Sequence, residues 1–428
     1  MVKVSVLMPV YNLEDYIEHA MESIFNQTLK DIEIVCVNDG SVDNSYNILK
    51  EFASKYDFIK VFSQENKGAG PALNKCIEEA TGEYIAFLDA DDIYVDEDAL
   101  EKMYKYAVKN DADMVAGNLK FVEDDYRIVD SHHYKRELYK FCDKETSFSP
   151  SQYGIPFAFY KNIFKREFLN ENNIRFPPYK RGVDTLFLAR ALVNVDRIYG
   201  IPVWLYGYNH QVGGGFNKKL SDYDFITNFF KVFKGVFDVF YEAGFDNLAY
   251  EYKKELFLYL RYKDNAIDWN IYEIVMDIFG EDGHYFEDYP DDYNVFLASQ
   301  WIHHVYECPT EKLLNETREK VLKLNLLENK KISKDLMRKS FILQTADNID
   351  DFTRRYLETD YLDLRMKYEK LVDKNLKLKK KNRKLKNKNS DLKKDLKQQK
   401  KLTKMYANSL SWKITSPIRV LKRKLRGR

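Results

Sequence analysis

The first 120 residues alternate short β-branched, apolar runs with segments of helical periodicity, and this alternation narrows the choice of fold more than any other feature of the chain. Val2–Pro9 reads as a buried strand. From Glu14 to Gln27 the apolar residues Ile17, Met21, Ile24 and Phe25 fall at helical spacing, and Ile32–Asn38 is a second β-branched run. Ile48, Leu49 and Phe52 mark a helix and Ile59–Phe62 a third strand. Pro71–Ala80 reads as a helix with proline near its first turn, where the missing N–H costs nothing. Tyr84–Leu88, Ala99–Val108 and Asp113–Ala116 continue as strand, helix and strand. This order predicts an α/β fold with a mostly parallel sheet and helices on both faces, and ligands on such sheets sit beyond the carboxyl ends of the strands.

At 428 residues the chain has material for two or three domains and a large core, and 45% hydrophobic residues with 32 Tyr and 28 Phe exclude a disordered polymer. Residues 120–215 are less regular. Residues 220–345 carry helical periodicity, with Phe225, Phe229, Phe230, Phe233 and Phe237 as the core stripe of a helical extension. No run approaches the ~18 apolar residues of a membrane-spanning helix, and Asn12 and Glu14 arrive too early for a signal peptide, so neither spanning nor export is expected. Cys36, Cys76, Cys142 and Cys308 are scattered and are expected to be buried free thiols in a reducing compartment. The neighbouring pairs His132–His133 and His303–His304 point apart and are assigned no metal.

The net charge of +1 conceals a division. Residues 361–428 hold 25 Lys and Arg against 5 Asp and Glu, a balance of +20, while residues 1–360 hold 43 against 62, a balance of −19. From just before the basic part, Leu357, Leu364, Leu371, Leu378, Leu385 and Leu392 recur every seventh residue. Tyr361, Tyr368, Asn375, Asn382, Asn389 and Leu396 are interleaved four residues on. This is a coiled-coil seam with leucine at d and three asparagines at a, a pattern of parallel dimers. Arg365, Lys367, Lys374, Lys379, Lys381, Lys386, Lys388 and Lys393 flank it and would repel across a symmetric pair, which leaves open a homodimer, a solvated single helix, an acidic partner or an anionic membrane. In the last residues Ile418, Leu421 and Leu425 share a face beside Lys422, Arg423, Lys424 and Arg426, which suits an amphipathic helix on an anionic membrane surface rather than nucleic acid.

Three segments at strand ends carry polar chemistry. Asn38-Asp39-Gly40-Ser41-Val42-Asp43-Asn44-Ser45 follows the second strand and could equally be an Asx turn with a helix cap. Asp89, Asp91 and Asp92 follow the fourth. Residues two apart in extended chain project to one side about 6–7 Å apart, so Asp89 and Asp91 can address one divalent cation, with helix capping as the alternative. Gln64–Pro71 brings Lys67, flexible glycines and a helix start to the same edge, a surface that accepts phosphate. No glycine fingerprint follows the first strand and no Gly-Lys-Ser/Thr occurs, which excludes the familiar dinucleotide and phosphate-loop enzymes.

The ordered set Pro9-Val10-Tyr11-Asn12, Asn38 to Asp43, Asn66-Lys67-Gly68 with Ala72-Leu73-Asn74, and Gly82 to Asp92 resembles the motifs of the family 2 glycosyltransferases over about residues 1–215. The resemblance implies a GT-A fold and inverting transfer from a nucleotide-diphosphate sugar. It implies that Pro9, Tyr11 and Asp39 hold the nucleoside and that Asp89 and Asp91 form the family's Asp-x-Asp element, with Mg2+ or Mn2+ on Asp91 and Asp89. Asn12, Asn66, Lys67 and Gly68 complete the expected donor contacts. Asp184, before the apolar Leu186-Phe187, resembles the acidic motif that supplies the base. Val183 replaces the acid usual just before it, and Leu73 and Cys76 replace the usual arginine and glycine of the third motif. Tyr206, Tyr208, Asn209 and His210 are candidates for the acceptor side, and Ser411–Arg419 resembles a segment of some surface-polysaccharide glycosyltransferases.

The expected division is a GT-A domain over 1–215, a helical extension over 216–350, a basic coiled coil over 351–404 and a basic amphipathic tail over 405–428. The expected function is metal-assisted sugar transfer to a glycan or lipid-linked acceptor hydroxyl, in surface polysaccharide or glycoconjugate synthesis. The enzyme is expected to be cytoplasmic, at the inner face of the membrane. A non-catalytic scaffold of a glycan-assembly complex is the alternative.

Overall fold

The computed structural model describes residues 1–123, 125–129, 142–154, 156–179, 182–209, 223–262, 269–280, 283–324, 326, 329 and 332–407. Strand and helix alternate first as β1 (Val4–Val10), α1 (Ile17–Phe25), β2 (Ile32–Asp39), α2 (Ser45–Lys55), β3 (Ile59–Gln64), α3 (Ala69–Glu79) and β4 (Tyr84–Phe87). There follow β5 (Ile93–Tyr94), α4 (Ala99–Asn110), β6 (Met114–Val122), β7 (Ile128–Val129), β8 (Thr146–Phe148), α5 (Pro150–Tyr153), β9 (Asn162–Lys165), α6 (Arg166–Glu171), α7 (Val183–Asn194) and β10 (Ile198–Asn209). Every strand and helix read from the first 116 residues is present.

The described strands form one sheet in the order β3-β2-β1-β4-β9-β6-β10-β5, with β7 on β6 and β8 on β10. The expectation of a mostly parallel sheet is corrected. β3, β2, β1 and β4 pair in parallel, as do β6 and β10, but β9 lies antiparallel between β4 and β6, and β5, β7 and β8 also pair antiparallel. β2 is buried at all eight positions, which is why it reads as an unbroken apolar run rather than an alternating one. Helical side chains such as Ile17, Met21 and Ile24 of α1 and Leu100 and Met103 of α4 complete this core, each contributing about 1.5–3 kcal/mol of burial.

At the amino ends of the strands Glu33, itself buried, gathers several chains. Its Oε1 accepts from Ser5 Oγ at 2.6 Å and from the Thr81 N–H and hydroxyl at 2.6 and 2.9 Å, and its Oε2 pairs with Lys60 at 2.7 Å. Gly82 packs so tightly here that a Cβ would lie 2.6 Å from the Ser5 nitrogen. Burial pulls the Glu33 pKa upward, but Lys60 and the Ser5 and Thr81 donors outweigh it and hold the carboxyl below its usual range.

A helical region follows the sheet: α8 (Tyr223–Glu242), α9 (Asp246–Tyr262), α10 (Trp269–Phe279), α11 (Pro290–Glu307), α12 (Glu311–Lys323) and α13 (Lys334–Thr345) lie within the span expected to be a helical extension, and α14 (Ile349–Ala407) is one helix over the segment expected to be a coiled coil. Phe230, Phe233 and Phe237 of the aromatic stripe are buried, with Phe233 stacked on Tyr252 at 4.7 Å. The described residues divide into two compact units, one running from Met1 to His304 and including Asn329, the other formed by those from Val305 to 326 and from Ile332 onward. In the second unit Phe352, Tyr356 and Thr359 of α14 are buried, and Lys339 of α13 bonds Asp360 at 2.6 Å.

Cys36, Cys76 and Cys142 are buried thiols as expected, but Cys308 is exposed, close to the end of α11. His304 stacks on Trp269 at 3.6 Å. His132, His133, His210 and residues 408–428, with the amphipathic tail and Ser411–Arg419, lie outside the described residues. Among the described residues no helix is long and apolar enough to cross a membrane.

Candidate functional site

Asp39 closes β2 and is turned to the loop that follows β3. Its Oδ1 accepts from the Lys67 N–H at 2.9 Å and from Gln64 Nε2 at 2.8 Å, and its Oδ2 accepts from the Gly68 N–H at 2.8 Å. One buried carboxylate thus folds Asn66-Lys67-Gly68 across the end of the sheet. Two glycines permit it: Gly68 has φ +93° just before α3, and Gly40 has φ +73° where a Cβ would sit 2.8 Å from the Asn66 nitrogen. The Asn66 and Lys67 side chains remain exposed.

The loop after β1 is laced to the loop after β2. The Asn12 N–H donates to Ser41 Oγ at 3.1 Å while its Oδ1 accepts from the Val42 N–H at 2.9 Å; Asn12 adopts φ +53°, a conformation asparagine tolerates. The Leu13 N–H donates to Ser45 Oγ, the Glu14 N–H to Asp43 Oδ2, and the Asn44 N–H to Glu14 Oε2 at 2.8 Å. Pro9 is half-buried opposite Val37, and Tyr11, on the loop after β1, is 46% exposed. Ser45 is therefore a loop tie and not the cap its position suggested.

Asp89 and Asp91 lie on the turn after β4, on the far side of β1 from Asp39. With one strand between them, the two strand ends are about 10 Å apart. The turn is fixed from below by β10. Tyr206 Oη accepts from the Asp89 N–H at 3.2 Å and donates to Asp92 Oδ2 at 2.6 Å, while Asp92 Oδ1 accepts from the Asn209 N–H at 2.6 Å. Asp92 is buried and addresses the protein, so neither it nor Asp91 caps a helix; α4 begins only at Ala99. Tyr206 and Asn209 are likewise buried beneath the turn, which corrects their expected place on the acceptor side. Tyr208 stacks on Tyr160 at 5.9 Å.

Asp184 reaches this turn because of aromatic packing. Phe87, two residues before Asp89, meets Phe187, three residues after Asp184, edge to face at 5.6 Å, and Phe187 stacks on Phe176 at 4.0 Å. Phe176 is held in turn by Asn74 of α3, whose amide bonds its N–H and C=O at 2.8 and 2.9 Å. Asp184 occupies the first turn of α7 behind Gly182, and is not the N-cap.

Electrostatics tie these acids together. Burial lifts the Asp89 pKa to about 7, and the charges of Asp91 and then Asp184 add to the shift. Burial raises Asp91 too, against the pull of its own backbone N–H. Asp184 is raised by burial and partly relieved by its own and the Thr185 N–H at the start of α7. Each keeps part of its surface open to solvent. No Lys or Arg among the described residues forms an ion pair with any of the three. Partly dehydrated carboxylates without a counter-charge suit a divalent cation. The protein's share of such a site is small, since among the described residues no three His, Cys, Asp or Glu stand close enough to hold a metal. Asp89 and Asp91 would fit as two ligands of a cation whose remaining ligands would have to come from outside the protein.

A mixed α/β sheet with interlocked polar loops and an acidic turn at one end, followed by helices, is the architecture of the GT-A glycosyltransferases. The crystal structure of S. aureus TarS has a similar fold, at 18% identity and a TM-score of 0.50, covering 83% of this chain and 55% of that one. The family model described as glycosyl transferase family 2 matches residues 5–171. Glycosyltransferase GlyG of Streptococcus pneumoniae is 33% identical over 221 residues, which cover 49% of this chain and 71% of the relative. Poly(ribitol-phosphate) beta-glucosyltransferase of Bacillus spizizenii is 32% identical over 201 residues, 46% of this chain and only 30% of that protein's length. The chain belongs to glycosyl transferase family 2.

Proposed function

We propose that this protein transfers a sugar from a nucleotide-diphosphate sugar to a hydroxyl of a glycan or lipid-linked acceptor, with inversion, in surface polysaccharide or glycoconjugate synthesis. The observation that carries the reading is the convergence of Asp89, Asp91 and Asp184, three acids on two elements, sharing one field in which Asp89 is raised to about 7. Asp89 and Asp91 would hold a Mg2+ or Mn2+, which as a Lewis acid stabilises the charge that develops on a departing diphosphate.

The protein's own groups do the rest. The exposed ring of Tyr11 offers a face for the base, beside Pro9 and the fixed Asn12. Asp39 acts on the nucleoside side, and its clamp presents Asn66, Lys67 and Gly68, with the start of α3, to the phosphates. Asp184 comes from a different element from the donor-binding turn and accepts the proton of the acceptor hydroxyl as it attacks. Its raised pKa makes it a stronger base than an exposed aspartate. The name of the Bacillus spizizenii relative supports a polymer acceptor. Residues 405–428 would bring the enzyme to the cytoplasmic membrane surface, and the 351–404 segment would hold a helical partner. The non-catalytic scaffold is not favoured, because the reported relatives are named as glycosyltransferases.

The test is a panel of UDP, GDP, dTDP and CDP sugars with Mn2+ or Mg2+, read by thermal shift and by release of the nucleotide. One donor should stabilise the protein in a metal-dependent way, and Asp91→Asn should lose that dependence while keeping its fold. No binding or hydrolysis across the panel would remove the proposal.

A further inference from the structure

The long helix α14 carries an open seam, and its sequence says what can close it. Where α14 packs on its own unit it uses Phe352, Tyr356 and Thr359, all buried. At about 100° per residue, Leu357 lies about 100–160° and Tyr361 about 140–180° around the helix from these three residues, so the packed face is turned away from the seam. The seam therefore begins on the opposite side. Leu357 is 49% exposed, Tyr361 67%, Tyr368 69%, Leu371 58% and Leu378 49%. Leu362, Met366 and Val372, off the seam, are exposed as well, so it is the heptad spacing of these large apolar residues that makes the stripe half of a coiled coil.

Three surfaces could cover it, and two conflict with the sequence. A second copy in parallel register would set each g residue against the e residue five positions on. Lys374 would then face Lys379, Lys381 would face Lys386 and Lys388 would face Lys393. An antiparallel pairing matches e with e and g with g, which over 374–388 is again lysine against lysine. A lipid surface accepts the lysines but not the seam, because Asn375, Asn382 and Asn389 would enter hydrocarbon with their amides unpaired. In a two-stranded coil, asparagine at a finds its partner amide across the interface and fixes the register. From Lys374 to Lys388 the helix also carries nine Lys and Arg and no acid, so its own i,i+4 neighbours repel. An anionic neighbour relieves that repulsion.

We infer that α14 is the basic half of a parallel hetero-coiled coil whose other strand is a protein helix with leucine-type residues at d, asparagine facing 375, 382 and 389, and Glu or Asp at e and g. The inference rests on the helix alone and stands apart from the transfer reaction. Three asparagine layers one heptad apart also define the register, so the partner docks at one position along the helix.

The probe is a synthetic peptide of about five heptads with Leu at d, Asn at the matching a positions and Glu at e and g. Its control is a scrambled isomer of identical composition. Titrated against the full chain by fluorescence anisotropy at ~0.15 M salt, the heptad peptide should bind one to one, about tenfold or more tighter than the isomer. The exposed double variant Leu371→Glu/Leu378→Glu should lose that preference with unchanged circular dichroism. Equal affinity for the isomer, or full binding by the double variant, overturns the proposal. Self-association of the chain, or binding to phosphatidylglycerol vesicles, that the same double variant abolishes overturns it as well, in favour of a second copy or of lipid.

Discussion

The hydroxyl of Tyr206, on β10, donates to Asp92 Oδ2 at 2.6 Å and accepts from the Asp89 N–H at 3.2 Å, so one phenol joins the last inner strand to the acidic turn. Tyr206→Phe keeps the ring's packing and removes both bonds. It leaves the buried Asp92 carboxylate with one donor fewer, a cost of about 1–3 kcal/mol. Thermal unfolding should show a midpoint lower by several degrees, and metal-dependent donor binding should weaken with it. A variant as stable as the parent would remove the tyrosine from this role.

The raised pKa of Asp89 sets a pH dependence with a definite sign. A carboxyl that titrates near 7 when folded and near 3.9 when unfolded binds more protons in the native state between those values. Stability of the metal-free protein from this group therefore rises as pH falls from above 7 towards 4. Stabilisation by Mn2+, which needs the carboxylate, should run the opposite way and fade as pH falls through 7. Asp89→Asn should flatten both trends in thermal denaturation at pH 5 to 8.

Asp184→Asn should preserve donor binding and lower transfer by about 10²–10⁴-fold, the usual worth of a positioned base. Single-turnover transfer alongside calorimetric donor titration separates the two quantities. Near-normal transfer would move the proton acceptor elsewhere.

At the other end of the strands Glu33 behaves inversely. Its folded pKa is lowered, so its contribution is complete above the unfolded value near 4.3 and is lost as pH falls through the folded one. Glu33→Gln should cost about 1–3 kcal/mol at neutral pH through the lost Lys60 pair and weakened Ser5 and Thr81 bonds, and should make the protein less sensitive to acid below pH 4.5. Urea unfolding at pH 4 and pH 7 measures both.

The parallel half of the sheet was legible because β1, β2 and β4 each carry a local apolar run bounded by turn residues, and Asp39, Asp89 and Asp91 sit where those runs stop. β9 was not, since four residues, Asn-Ile-Phe-Lys, carry no period. The work of Asp92 was equally hidden: its partners, Tyr206 and Asn209, lie 114 and 117 residues away, and a third acid in a row looks from sequence like either a ligand or a cap. Asp39 gave a partial signal. Its position at a strand end marks it, but nothing local shows that both oxygens hold the Lys67–Gly68 backbone. Asp184 became readable only with the apolar Leu186-Phe187 beside it, and the ring of Phe187 is what brings it to the turn.

The reciprocal bonds between Asn12 and the Ser41–Val42 segment, and between Glu14 and the Asp43–Asn44 segment, make the two loops a single wall. Exchanging one of them alone with a relative's would strand two or three backbone N–H groups of the other. The unit of transplantation is therefore the matched pair.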